Sequence, residues 1–280
     1  MKLTKYQFPK NFHEDLRQNY SKESRERILE NMQNVTVFNL EYFSQGYWVK
    51  GFFIDSVQQL VDAPLIIYNR GGSKDYGAIG LKTILFRMIP FAALGYPVIA
   101  TQYTGNMGSE GKDEFGGEQD IQSVVDLFDV AKKIRSFNEN KIVMIGESRG
   151  GMMTYKVSTR VPWIRLAIIN SAAVDISHSY TLRPNLKDFR KDMYNVSSEV
   201  ENKKRSALYW PEELPNNTKF LVFHGTEDEK TPVDDTLLLI NKMILLKKDV
   251  QFHLYKDEHC LRSHYKDFKQ IAVSTIKNLQ

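Results

Sequence analysis

Short runs of β-branched and aromatic residues alternate along this chain with longer stretches in which apolar side chains recur every three or four positions. That is the pattern of a mostly parallel sheet covered by helices on both faces, an α/β fold. Buried strands are predicted at residues 65–68, 98–102, 142–145, 166–170, 220–223 and 250–255, all short and mostly apolar. Ile121, Val124, Val125, Phe128, Ala131 and Ile134 give one helix a single apolar stripe. Asp234 is placed to cap a helix carrying Leu237, Leu238, Asn241 and Leu245, and Ser263 one carrying Tyr265, Phe268, Ala272 and Leu279. Ahead of the buried strands, residues 35–44 and 47–54 read as a hairpin turned at Gln45-Gly46, because glycine accepts a positive φ at little cost.

Two stretches depart from this rhythm. The first 34 residues are polar and charged, with helical periodicity over 24–32, and read as an extension packed on a main body of 35–280. Residues 175–217 are polar and lie between two predicted strands, so they read as a lid-like excursion over the sheet's C-terminal edge. Among 280 residues, 38 Lys and Arg against 34 Asp and Glu leave a formal charge of +4, spread along the chain. Nothing there resembles the focused basic field of a nucleic-acid binder. The single cysteine, Cys260, excludes an intrachain disulfide and a cysteine-rich zinc site, and suits a reducing compartment. With no secretory h-region and no apolar run of roughly 18–20 residues, the expected setting is the cytoplasm, away from membranes.

Chemistry concentrates in 141–155, where the apolar run Ile142-Val143-Met144-Ile145 meets Gly146-Glu147-Ser148-Arg149-Gly150 and then a helical pattern. A serine on so sharp a strand-to-helix turn is held in a strained backbone with its Oγ exposed, and the flanking glycines keep neighbouring chain from blocking it. A phosphate-binding turn is the bland alternative, but no G-x-x-x-x-G-K-[ST] occurs. A serine hydroxyl needs a base, and the base a carboxylate to orient it. On such a sheet these follow in the order serine, acid, histidine. Asp228, with Glu227 and Glu229 as neighbours, lies in the loop after the strand at 220–223, and His259 in the loop after 250–255, where Asp257 is a further acid. His264 falls inside the predicted last helix, and His224 and His253 lie within or beside strands. There is no H-E-x-x-H and no dinucleotide glycine fingerprint after the first buried strand, so no metal or cofactor is implied.

The three stretches around Ser148, Asp228 and His259 resemble the catalytic domain of the prolyl oligopeptidase family of serine peptidases, within the α/β-hydrolase fold. His224-Gly225-Thr226-Glu227-Asp228 followed by Pro232-Val233 is similar to the family's acid signature, with the last pair inverted; 113–118 with Asp120, and 205–210, are similar to further family segments. The resemblance implies Ser148 as nucleophile, Asp228 as orienting acid and His259 as base. It implies one oxyanion donor from the Arg149 backbone and a second from the loop Tyr68-Asn69-Arg70-Gly71-Gly72-Ser73. Arg70 stands where family peptidases often carry Tyr or His, so a backbone N–H at Gly71 or Gly72 is the expected replacement, and Arg70 and Lys230 are expected substrate contacts. The family's β-propeller has no counterpart in the 34 residues before the hydrolase body, so substrate choice is expected to fall to the excursion, with Tyr180, Arg183, Tyr194 and Trp210, to the N-terminal extension, or to a second copy in a homo-oligomer. The implied activity is cleavage of small peptides. A carboxylesterase with the same triad and a non-catalytic scaffold of the same fold are the competing readings.

Overall fold

The computed structural model describes residues 1–58, 60 and 62–279. Its strands are β1 (Lys2–Lys5), β2 (Val35–Ser44), β3 (Tyr47–Ser56), β4 (Pro64–Asn69), β5 (Val98–Thr101), β6 (Asn138–Glu147), β7 (Ile164–Asn170), β8 (Lys219–Gly225) and β9 (Val250–Tyr255). They form one sheet in the order β1-β2-β3-β5-β4-β6-β7-β8-β9. From β5 to β9 in that order neighbouring strands are parallel, while β1, β2 and β3 pair antiparallel along one edge. All six predicted strands and the hairpin are present, but β9, expected to be buried, is a half-exposed strand at the sheet's edge with a neighbour on one side only.

Strand alternation divides the core. In β6, Val143 and Ile145 pack into one layer, and Ile142 and Met144 into the other. Fully burying such a side chain contributes about 1.5–3 kcal/mol, which is why the central strands read as unbroken apolar runs. The first layer is covered by α1 (Phe12–Asn19), α2 (Lys22–Gln33), the segment α3 (Leu81–Thr83), π-turn (Ile84–Met88) and α4 (Ile89–Ala92), and a C-terminal helix. The second is covered by α5 (Glu118–Ile134) and α6 (Arg149–Ser158). The excursion folds into α7 (Ile176–Leu182), α8 (Asn185–Arg190), α9 (Glu199–Lys204) and two short 3-10 turns, before α10 (Val233–Leu245) and the C-terminal α11 (Tyr265–Lys277). Among the described residues no helix is long and apolar enough to cross a membrane.

Residues 1–34 supply an edge strand as well as helices, and Phe12, Leu16 and Ile28 sit in the main core. Three local expectations are corrected, the apolar stripe of α10 and the caps of α10 and α11. In α10 the expected stripe is turned outward: Leu237, Leu238 and Leu245 are exposed, whereas Leu239, Ile240 and Met243 are buried. That helix is apolar on most sides, and docking against β8 and β9 selects its inner face. Asp234 lies inside its first turn, after the N-cap position of Pro232. At α11 the Ser263 hydroxyl is not the cap; the buried Asp257 carboxylate accepts the backbone N–H groups of Ser263 and His264 at 3.0 and 2.8 Å.

Candidate active site

Ser148 sits between the end of β6 and the first residue of α6, with φ 57° and ψ −121°. A non-glycine residue in that region is strained, and the surroundings must hold it there. They do so by close approach: a Cβ on Gly146 would lie 2.1 Å from the Gly150 carbonyl oxygen, and one on Gly150 1.9 Å from that of Asn69. The Arg149 N–H opens α6, so it belongs to the first-turn donors that a helix leaves without an internal acceptor. Gly71 runs against the same turn, where an added Cβ would come within 3.3 Å of the Ser148 Cβ. Ser148, Arg149, Gly71, Gly72, Lys230 and His259 all line one cavity of about 300 Å³ at the C-terminal edge of the sheet.

His259 presents Nδ1 to Asp228, 2.8 Å from Oδ2 and 3.0 Å from Oδ1. Donation from Nδ1–H leaves Nε2 as the basic nitrogen. The Asp228 carboxylate is fully buried and also accepts the backbone N–H groups of Lys230 and Thr231 and the Thr231 hydroxyl, at 2.9, 3.0 and 2.8 Å. Burial works against its charge, but donors from His224, His259 and Thr231 hold the carboxyl well below its ordinary value. The loops that carry Asp228 and His259 are tied together by backbone bonds from Thr226 N to Tyr255 O and Glu227 N to Asp257 O. Glu227 and Glu229 point to solvent. Asp257 and His264 pair with each other at 2.9 Å.

Other expected residues move away from the chemistry. Arg70 is not a substrate contact: it is 1% exposed and donates to the carbonyls of Gln102, Gly71 and Lys74 at 3.1, 3.1 and 2.9 Å. Its guanidinium braces the loop that carries Gly71 and Gly72. Tyr180 and Tyr194 are buried and bond each other, and Trp210 donates its Nε1–H to the Lys203 carbonyl. Arg183 does line the cavity, together with Arg190 from α8.

Sequence reasoning missed a second set of positioning groups. The Arg149 side chain is buried and donates to Asp113 at 2.6 and 3.0 Å and to Asp120 at 2.8 Å, while Asp113 accepts the Lys74 N–H at 2.7 Å. This network ties the Ser148 turn to the loop after β4. Against the cost of burial, Arg149 holds Asp113 below its ordinary value, whereas burial of the deeper Asp120 outweighs the shared cation and raises it to about 6. The similarity of 113–120 to a family segment was the available signal. His224 was also set aside; its Nε2 faces the Thr231 carbonyl at 2.9 Å and lies 3.3 Å from Asp228, so it supports the acid loop from below. Beside His259, burial pushes the Cys260 thiol well above its ordinary value and keeps it protonated. Among the described residues no group of three or more His, Cys, Asp or Glu side chains is arranged to hold a metal ion.

A sequence profile described as the prolyl oligopeptidase family matches residues 83–274, more than half of the chain. A Bacillus subtilis (strain 168) protein named uncharacterized peptidase YtmA is 27% identical over 229 residues, covering 80% of this chain and 85% of that one. A probable dipeptidyl-aminopeptidase B of Ajellomyces capsulatus (strain H88) is 24% identical over 70% of this chain, which spans only 22% of that relative. Among solved structures, an acylaminoacyl peptidase of Pyrococcus horikoshii superposes with a TM-score of 0.73 at 19% identity, over 89% of this chain and 42% of that one. An esterase named rPPE superposes with a TM-score of 0.70 at 15% identity, over 96% of both chains. These structural likenesses show a common α/β-hydrolase fold.

Proposed function

Because the chain belongs to the prolyl oligopeptidase family of serine hydrolases, we propose that Ser148, His259 and Asp228 are its catalytic triad and that it cleaves small peptides. The observation that carries this reading is the bond from His259 Nδ1 to the buried Asp228, with His259 and Ser148 lining one cavity. His259 Nε2 takes the Ser148 proton as Oγ attacks the carbonyl, and returns it to the leaving amine. Water then repeats the path against the acyl-enzyme. The backbone N–H groups of Arg149 and of Gly71 or Gly72 hold the oxyanion, one such donor being worth about 3–4 kcal/mol of barrier. Lys230, at the cavity mouth, is a further contact for substrate.

Labelling with a fluorophosphonate tests the triad: wild type is labelled and Ser148→Ala is not, while an unlabelled wild type would remove the reading. The peptidase names of the relatives favour peptides over esters. The esterase neighbour keeps the second reading open, since both chemistries use the same groups. Aminoacyl p-nitroanilides and p-nitrophenyl acyl esters separate them; esters turned over with anilides untouched would make it a carboxylesterase. The lone Cys260 supports a reducing, cytoplasmic setting, and cell fractionation that finds the protein elsewhere overturns this.

A further inference from the structure

The cavity beside Ser148 holds more positive charge than its own walls neutralise. Two of its arginines are accounted for: Arg149 by Asp113 and Asp120, and Arg87 by Glu147, whose Oε2 lies 3.3 Å from the Arg87 Nε. Glu147 is the only carboxylate among the described residues lining the space. Arg183, Arg190 and Lys230 line it too, and none forms an ion pair among the described residues. Arg190 stacks its guanidinium 3.7 Å from the centre of the Phe115 ring. Arg183 has no such stacking among the described residues, and its Nε, like that of Arg190, is buried with no acceptor. Burial draws its pKa below the ordinary value, and Asp228, already engaged by His259, is the carboxylate that opposes this. The Arg183 guanidinium is half-buried, and its planar fork matches a carboxylate in two parallel bonds.

We infer that this cavity selects substrates that carry a carboxylate, with Arg183 as its bidentate partner and Lys230 as a second cation at the mouth. The inference rests on the serine hydrolase reading and deepens it by naming the substrate class. Arg183 closes α7, and α8 places Leu186 and Phe189 along the same wall, so the fork is set beside apolar surface able to hold the carbon skeleton of such a substrate. The excursion thereby supplies selection to a triad that is itself indifferent to substrate charge.

The test compares two ester pairs, each differing by one charge and each normalised to uncatalysed hydrolysis. Mono-p-nitrophenyl adipate against its methyl ester places the carboxylate on the acyl side. A carboxy-substituted nitrophenyl hexanoate against the plain nitrophenyl hexanoate places it on the leaving group. The charged member of at least one pair is expected to have a kcat/KM about 30-fold or more above its neutral partner, the lower end of what a desolvated charge pair commands. Arg183→Gln is expected to erase that ratio and Arg183→Lys to retain part of it. A ratio near one in both pairs, or a preference that survives Arg183→Gln, overturns the inference. If wild type turns over none of the four esters, fluorophosphonate labelling separates the two failures: an unlabelled wild type ends the hydrolase reading, and a labelled one leaves the carboxylate site to a binding measurement. Calorimetric titration with adipate then decides the cavity: binding that Arg183→Gln abolishes supports the carboxylate site, and no binding to wild type overturns it.

Discussion

Replacing Arg149 by methionine removes a cation that two buried carboxylates share. Its side chain is 2% exposed, and its fork reaches Asp113 and Asp120 in three bonds of 2.6–3.0 Å. Methionine fills much of the volume and keeps the backbone N–H, so the expected oxyanion donor stays in place. What is lost is the compensation of buried charge, which costs about 3–5 kcal/mol when one partner is removed. With a urea dependence of about 3 kcal/mol per molar, the unfolding midpoint falls by roughly 1–1.7 M. Adding Asp113→Asn and Asp120→Asn removes the orphaned charge and leaves one oxygen on each side chain, enough for the Gly116 N–H and for one of the Lys74 and Phe115 N–H groups, which Asp113 accepts on separate oxygens. The triple variant is therefore expected to recover half or more of the loss. Equilibrium urea unfolding followed by circular dichroism gives both numbers. A shift below about 0.3 M for Arg149→Met, or a triple variant no better than the single one, would show that the network is not what joins the nucleophile turn to the loop after β4.

Four further outcomes are expected. Arg70→Met leaves the buried carbonyl of Gln102 and the part-buried ones of Gly71 and Lys74 without their donor and lowers stability by about 3 kcal/mol; an unchanged melting temperature with a raised KM would return Arg70 to the role of substrate contact. Gly71→Ala puts a methyl group 3.1 Å from the Glu147 carbonyl oxygen and 3.3 Å from the Ser148 Cβ, so the turn must shift and kcat falls on the order of 10-fold in a protein with native circular dichroism, and wild-type turnover would contradict it. Asp113 and Asp228 are both held below the ordinary 3.8, so the stability they confer is complete above that value and is lost as the pH falls below it. Asp228→Asn should accordingly be weaker at about pH 7 yet lose less than wild type on going to about pH 3, and parallel urea midpoints in the two proteins would refute this. Deleting residues 1–34 removes Phe12, Leu16 and Ile28 from the core, roughly 5–9 kcal/mol of burial and comparable to a whole domain's stability; a truncated protein that melts at the wild-type temperature would show that the extension is not part of the core.

The sequence by itself determined what depends on neighbouring residues: apolar runs that must be covered on both faces, a glycine-flanked turn that must expose Ser148, and the order in which acid and base loops follow their strands. Each is a steric or solvation demand acting over a few positions, so it is written locally. Only the tertiary structure decided which face of α10 turned inward, because a helix apolar on most sides takes its register from what it packs against. It also moved Arg70 from the substrate to the interior and joined Arg149 to Asp113 and Asp120, residues 36 and 29 positions away. A buried charge finds its partner by three-dimensional proximity. No spacing along the chain records that distance.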